Sequence, residues 1–483
     1  MSEFNSLIKD YMTRCRITST ELAEGTGLGN IVYKYVRGTR IPGSPEAVEQ
    51  ISDYLNMSNA DRIKIRELWR IEHFGADRIE LWKQIETFLK NFQIAPVQSE
   101  ECLYNPDALH GISVKGMTYL YGSLNVYQAI LSILVHAGDA PVSAVVQPDD
   151  PQLRECLIMA DRFNPALTIH NIVRLFPRSN DISAPVSMNL SLLQDVVRMT
   201  FSSESYYSYY YYSDGSLNEK WPLYTSYIVT EKYALLFGRG DSSMSGILTT
   251  DEAMIRDLKS SFSQLMQESR PLISRTDNQY DQMESYYSIL EEGSEPRPLI
   301  QFSMQPCLCP FLSRDMTDKY INHDILGIEL VEDSFLRHMQ WYRQEMPGSV
   351  KCIISVDGVR RFLDTGRLDE LLDYLYSPIS AKDRIRVIRH WMSAISEDTV
   401  YFLPTDSFPV QYGLTIITSP SYFTTAFISH GKVNTFISRE PTISSAFWDY
   451  FSHIYSRDSM PFDEGISLIE SCLSNAEGSV TSR

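Results

Sequence analysis

Hydrophobic periodicity changes once along this chain, and the change divides it. From Phe4 to Leu89 apolar residues recur three and four positions apart, the period of helices that bury one face. Beyond Ala95–Asn105, a stretch bordered by Pro96 and Pro106, short β-rich runs alternate with helical ones, the pattern of an α/β unit. A chain of 483 residues is long enough for both architectures, each with its own core. The expected fold class is therefore multidomain: an all-α N-terminal bundle followed by a large α/β domain.

Helices before the boundary are short and sharply punctuated. Phe4, Leu7, Ile8, Tyr11 and Met12 share one face of a first helix, Phe4–Cys15. Thr18 or Ser19 caps a second, Glu21 stands three residues after Thr18 as in a capping box, and Gly25 with Gly27 stops it. A third runs from about Asn30 to Arg37, with Val32 and Val36 four apart and Gly38 placed as its C-terminal cap. Pro45 opens a fourth carrying Val48, Ile51 and Leu55, and Ser58 caps a fifth with Ile63, Leu68 and Ile71 on its inner side. The expected domains are a five-helix bundle over 1–75 and a helical linker over 76–99.

The remainder predicts helices at Leu124–Val135, Gln152–Ala160, Leu190–Val197 and Ala253–Met266. Strands are expected at Val142–Val146, Leu167–Leu175, Tyr206–Tyr212, Tyr227–Thr230, Tyr233–Phe237 and Ile247–Thr249, with a Gly/Ser loop over Gly238–Gly246. After a polar boundary, Thr276–Pro298, come helices at Ser334–Gln344, Gly358–Leu363, Leu368–Tyr376 and Ala381–Ile395, and strands at Lys351–Val356, Thr399–Leu403 and Leu414–Thr418. The segment from Tyr227 resembles that from Thr415, each ending in a Phe-rich helix. One unit thus occurs twice, and 100–275 and 297–483 are the two halves of a pseudo-twofold domain.

Charge follows the same division. Residues 1–75 hold ten Lys and Arg and ten Asp and Glu, so the net charge of −18 belongs wholly to the rest. An acidic surface repels DNA, which confines any nucleic-acid contact to the N-terminal bundle. No apolar run reaches the length of a membrane span, and Met1–Asp10 lacks the pattern of a secretion leader. Seven Cys, an odd count, suit reduced thiols. The expected localisation is cytoplasmic, with no membrane partner.

Chemistry concentrates in the segment from Thr18 to Pro42, TSTELAEGTGLGNIVYKYVRGTRIP. It resembles the helix-turn-helix of the lambda repressor/Cro-like (XRE) family: Leu22 and Ala23 match the family's leucine-alanine pair, Gly27 its turn glycine, and Arg37, Gly38, Arg40 and Pro42 its RG-x-R-x-P ending. Leu22, Ala23, Gly27, Val32, Val36 and Gly38 are then structural. The resemblance implies that the third helix enters the major groove and the second meets phosphate at its N-terminus. Thr18, Ser19 and Thr20 become positioning residues, Asn30 and Lys34 base-edge readers, and Tyr33, Arg37, Thr39 and Arg40 backbone or sugar contacts. Gly38 follows Gly27 by 11 residues, one fewer than the family usually has. Members usually act as dimers on palindromic operators, so double-stranded DNA and a second copy are the implied partners.

The end of each half resembles the closing part of a phospholipase D-like half-domain. That family needs a His-x-Lys set with a following aspartate in each half, one histidine as nucleophile and the other as acid. Here the chain's one His-x-Lys is His430-Gly431-Lys432, Ile437 stands where the aspartate would follow, and the first half has no counterpart. A degenerate, non-catalytic domain is expected, without cofactor or metal. The run Tyr206, Tyr207, Tyr209, Tyr210, Tyr211 and Tyr212 reads first as a half-buried strand, with an aromatic platform as the alternative. Cys307 and Cys309 read as structural thiols, and His338 and His390 as packing residues.

The sequence thus predicts a DNA-binding transcriptional regulator whose acidic domain senses a small-molecule or protein effector, dimerises, or both. Two alternatives stand beside it: an enzyme, phospholipase D-like or other, addressed by the N-terminal module, and a protein-interaction adaptor.

Overall fold

A computed structural model describes residues 2–90, 116–177, 183–203, 205–213, 226–239, 243–276, 298–324, 332, 336–337, 339–340, 350–369, 371, 373–404, 412–429 and 432–481. They form two compact units, Met1–Glu86 and Thr87–Arg483.

The first unit is all helix: α1 (Glu3–Cys15), α2 (Ser19–Gly25), α3 (Ile31–Arg37), α4 (Pro45–Tyr54), α5 (Asn59–Phe74) and the start of α6 (Ala76–Lys90). Sequence sets these limits locally. Ser2, Thr18 and Ser58 cap α1, α2 and α5 through their side chains, Pro45 begins α4, and Gly38 closes α3 in the left-handed conformation. Phe4, Ile8, Leu22, Val32, Val48, Ile51 and Ile65 are fully buried at the centre.

The face of α5 differs from the sequence reading. Ile63 is 64% exposed, and the inward residues are Ile65 and Trp69. The Trp69 indole, which donates to the Pro42 carbonyl at 2.8 Å, and Asp61, which accepts from the Tyr11 hydroxyl, fix that phase. Gly75, at φ 92°, breaks α5 from α6. Trp82 then packs on Phe74, ring centroids 5.0 Å apart, so α6 joins the bundle rather than only leaving it, and five expected helices become six among the described residues.

The second unit contains two mixed sheets. The first half runs β1 (Met117–Tyr121), α7 (Ser123–Val135), β2 (Val142–Val145), α8 (Pro151–Phe163), β3 (Ile169–Leu175), α9 (Ser183–Ser202), β4 (Tyr206–Tyr212), β5 (Ser226–Val229), β6 (Ala234–Arg239), β7 (Met244–Thr249) and α10 (Glu252–Glu268). Two short strands, β8 (Arg270–Pro271) and β9 (Ser274–Thr276), follow. The second half contains β10 (Leu299–Phe302), a 3₁₀ turn at Cys309–Phe311, α11 (Arg314–Tyr320), β11 (Val350–Ser355), α12 (Val356–Thr365), α13 (Ala381–Met392), β12 (Val400–Leu403), β13 (Leu414–Ser419), β14 (Tyr422–Ser429), β15 (Lys432–Ser438), α14 (Pro441–Asp458) and α15 (Phe462–Thr481).

Strand order reveals the repeat. One sheet reads β1-β7-β6-β5-β2-β3-β4-β8, the other β9-β15-β14-β13-β10-β11-β12 in the same sense. In each, three strands run parallel (β2, β3, β4; β10, β11, β12) and the rest add antiparallel. Details repeat as well: Asp251 caps α10 by accepting from the Met254 amide at 2.9 Å, and Glu440 caps α14 from Ile443 at 2.7 Å. The hydroxyls of Thr230 and Ser419 close the two equivalent turns. The segment carrying β8 and β9 borders both sheets, pairing with β4 of one and β15 of the other.

Three sequence expectations change. The described residues of Leu368–Tyr376 form turns, not a helix: the Leu368 amide bonds the Tyr376 hydroxyl at 2.6 Å, and Tyr376 forms a bridge with Ile321. Leu368 and Leu375 are buried all the same, seven residues apart as a helix would also place them. Met244–Gly246, assigned to a loop, belongs to β7, paired with β6 and β1. Strands β1, β8, β9 and β10 and helices α11 and α15 were not foreseen. The linker 95–105, the boundary 277–297 and most of the helix expected at 334–344 lie outside the described residues.

Candidate functional site

The helix-turn-helix pair is built from its caps inward. Thr18 and Glu21 form the foreseen capping box, the Thr18 amide and hydroxyl each 2.7 Å from Glu21 Oε2. Those bonds from Thr18 hold the Glu21 carboxyl below its usual range. Thr18 therefore has its hydroxyl engaged, and a negative charge stands at the start of α2. Thr20, exposed, shares a 2.9 Å hydrogen bond with the Tyr33 hydroxyl and so joins α2 to α3. Ser19 is half-buried beside it.

Between the helices Gly27 and Gly29 adopt φ of 69° and 64°, and a Cβ at either would meet nothing within 4 Å. Backbone conformation, not space, calls for glycine there. Leu22, Ala23, Val32 and Val36 are buried in the core of the first unit.

The opposite face of α3 is open. Asn30 stands at its N-cap with no side-chain capping bond, and Asn30, Lys34 and Arg37 are exposed while Tyr33 is half-buried. Their spacing of three and four residues puts them on one helical face. Thr39 and Arg40 continue the exposed strip past Gly38. Among the described residues Lys34, Arg37 and Arg40 make no ion pair, whereas Arg62 pairs with Asp53, Arg66 with Glu49 and Lys83 with Glu67 in the same unit.

Sequence reasoning missed Asn5. It is 2% exposed, and its amide donates to the Tyr35 carbonyl at 2.6 Å, fastening the C-terminal turn of α3 to α1. The sign was present: a polar residue beside Phe4 on the same buried helix face as Ile8 and Met12.

In the second unit the tyrosine run is strand β4, with Tyr206, Ser208 and Tyr210 inward. On the other face Tyr207 and Tyr209 stack on His170, centroids 5.2 and 5.8 Å away, and burial pushes the His170 imidazole below its usual pKa. Cys307 and Cys309 are buried thiols. His390 Nδ1 lies 3.0 Å from the Phe311 carbonyl, a packing position. Ile437 sits in β15 opposite Thr424, while His430, Gly431 and His338 lie outside the described residues. No helix among the described residues is long and apolar enough to cross a membrane.

No family model matches the chain, and no curated protein matches it. Among solved structures it is similar to TrmBL2, described as an archaeal chromatin protein showing a novel mode of DNA binding, at 8% identity over 44% of this chain and 69% of that one, TM-score 0.21. It is also similar to the phosphatidylserine synthase of Haemophilus influenzae Rd KW20, at 10% identity over 82% of this chain and 97% of that one, TM-score 0.24.

Proposed function

We propose that this protein is a sequence-specific DNA-binding transcriptional regulator. Its first unit reads an operator through a helix-turn-helix of the lambda repressor/Cro-like (XRE) kind, and its second, a degenerate phospholipase D-like repeat, senses an effector or dimerises without catalysis. One observation carries the reading: Lys34 and Arg37 on the outer face of α3, and Arg40 just past it, lie exposed and free of ion pairs among the described residues, while Arg62, Arg66 and Lys83 of that unit are paired with carboxylates. Unpaired cations on an exposed helix face are available to phosphate, and Asn30 with Lys34 offers donors and an acceptor to base edges. A two-fold dimer would set two such helices about one DNA turn apart, and an effector that shifts the pair changes affinity. The missing His-x-Lys in the first half and Ile437 in the second support a non-catalytic role.

The test is selection of genomic DNA fragments on the purified chain, repeated with Lys34→Ala/Arg37→Ala. A palindromic sequence enriched by the wild type and lost in the double variant is the expected result. Each lost phosphate contact should also reduce the salt slope of binding by about 1. No enrichment at low salt refutes the regulator and leaves the adaptor; phosphodiester hydrolysis abolished by His430→Ala would establish the enzyme instead.

A further inference from the structure

The two halves share their strands but not the space at the end of them. In the first half, the C-terminal ends of the parallel strands β2, β3 and β4, with the end of β6, border a cleft of about 240 Å³. Openings at this end of parallel strands are where α/β proteins receive ligands. In the second half the equivalent place, past β10, is filled. Ser303 to Phe311 are all buried. The Met304 carbonyl accepts from the Ser355 amide at 3.0 Å, and a Cβ on Gly358 would stand 2.0 Å from that oxygen. Gln305 completes the plug, its side chain donating to the Arg367 carbonyl at 3.0 Å and accepting from the Asp369 amide at 2.9 Å. After β2, by contrast, the buried Asn171 holds Val146 through two 3.0 Å bonds, and Gln147 becomes part of the cleft wall.

The open cleft holds two guanidinium groups. Arg174, at the end of β3, lines it, and its Nε is buried with no hydrogen-bond partner among the described residues. Arg239, at the end of β6, lines it too; its side chain is 75% exposed and forms a long ion pair with Asp150, at 3.7 Å. Asp150 is already committed, capping α8 through the Gln152 amide at 2.9 Å and accepting from the Tyr127 hydroxyl at 2.5 Å. Tyr211, Phe237 and Met244 supply an apolar wall. Asp149, exposed at the rim, disfavours a polyanion.

We infer that this cleft binds one small organic anion per chain, its carboxylate or phosphate group held by Arg174 and Arg239 and its apolar body against Tyr211, Phe237 and Met244. Guanidinium groups bind both oxyanions through paired N–H donors, so the shared chemistry is a single anionic head on an apolar body. The inference rests on the sensor part of the proposed function, as the place where an effector would act, while the binding itself needs no DNA.

The experiment is calorimetric titration of the full chain with phenylacetate, phenyl phosphate and the neutral 2-phenylethanol. At least one of the two anions should bind saturably at one site per chain, the neutral compound much more weakly, and the favoured anion identifies the head group. Arg174→Gln should weaken that binding by roughly ten- to a hundredfold, the loss expected for a charge-assisted hydrogen bond. Arg239→Gln, an exposed change that leaves the fold intact, should weaken it severalfold and decides the matter if Arg174→Gln does not fold. No saturable binding of either anion, equal binding of the neutral compound, or wild-type affinity in both variants overturns the inference. DNA affinity is measured separately with and without the bound anion: anion binding without DNA binding refutes the regulator and keeps the site, and the reverse result refutes the site alone.

Discussion

Glu440 is a carboxylate with no solvent exposure at the junction of the two halves, and its removal should be among the costliest single changes in the second unit. It accepts from the Ile443 amide at 2.7 Å and the Thr442 hydroxyl at 2.6 Å, both on its own side, and from the Tyr212 hydroxyl at the end of β4 in the other half. Thr442 in turn receives a 3.1 Å bond from Asn189 of α9, so the carboxylate organises a small network across the two halves. A hydrogen bond to a charged group contributes about 1.5–3 kcal/mol, and stripping one partner from a buried charged cluster costs about 3–5 kcal/mol. Glu440→Ala should therefore destabilise the second unit by about 3–5 kcal/mol. Tyr212→Phe should cost less, about 1–2 kcal/mol, because Tyr212 is 42% exposed and water competes for its hydroxyl in the wild type. The double variant should fall short of the sum by about 1 kcal/mol or more, the coupling of residues that touch. Urea unfolding followed by circular dichroism measures all three, and a split transition in Glu440→Ala would show the halves losing their joint cooperativity. A cost below about 1 kcal/mol for Glu440→Ala, or strict additivity with Tyr212→Phe, would refute the assignment of this carboxylate as the joint.

Other outcomes follow from the same physical terms. Burial, joined at Tyr212 by the Glu440 carboxylate, holds the hydroxyls of Tyr206, Tyr210 and Tyr212 above their ordinary pKa, and burial pushes Tyr227 and Tyr376 up to about 12. Folding then favours the protonated phenols, so stability is intact below about pH 10 and declines as pH rises through the folded values; tyrosinate absorbance appearing together with loss of circular dichroism is the expected sign, and free titration of these phenols in a folded chain would contradict it. At Asp383 burial raises the pKa, but hydrogen bonds from Lys319, Tyr320, Arg386 and Ser380 outweigh it and hold the carboxyl well below its usual range. Its contribution is present above about pH 4 and lost as pH falls, so acid unfolding of Asp383→Asn should be the shallower of the two curves. Gly29→Ala, strained only by its positive φ, should cost about 1–2 kcal/mol, while Gly358→Ala, which drives a Cβ onto the Met304 backbone, should cost more; thermal melts giving the opposite order would count against the packed plug.

Much of the first unit was legible locally. Helix limits depend on caps, and caps are single residues: Thr18 with Glu21, Pro45, Ser58 and Gly38 all stand where the chain alone places them. The exposed strip Asn30, Lys34 and Arg37 follows from three- and four-residue spacing once Val32 and Val36 are assigned inward. The α/β alternation and the repeat were also written in the chain, because each half carries its own apolar runs and the same strand-strand-helix ending. Non-local partners decided the rest. Ile63 or Ile65 could have faced the core on spacing alone, and the Trp69 bond to Pro42 settled it. Leu368 to Tyr376 has helical spacing, but its described residues are held as turns by Gln305 and Ile321, residues far off in sequence. Strand β9 has three residues and no pattern of its own; β15 makes it a strand. The cleft is assembled from the ends of β2, β3, β4 and β6, and whether it is open or plugged depends on which way the chain leaves β2 or β10, a matter of backbone packing that no local pattern encodes.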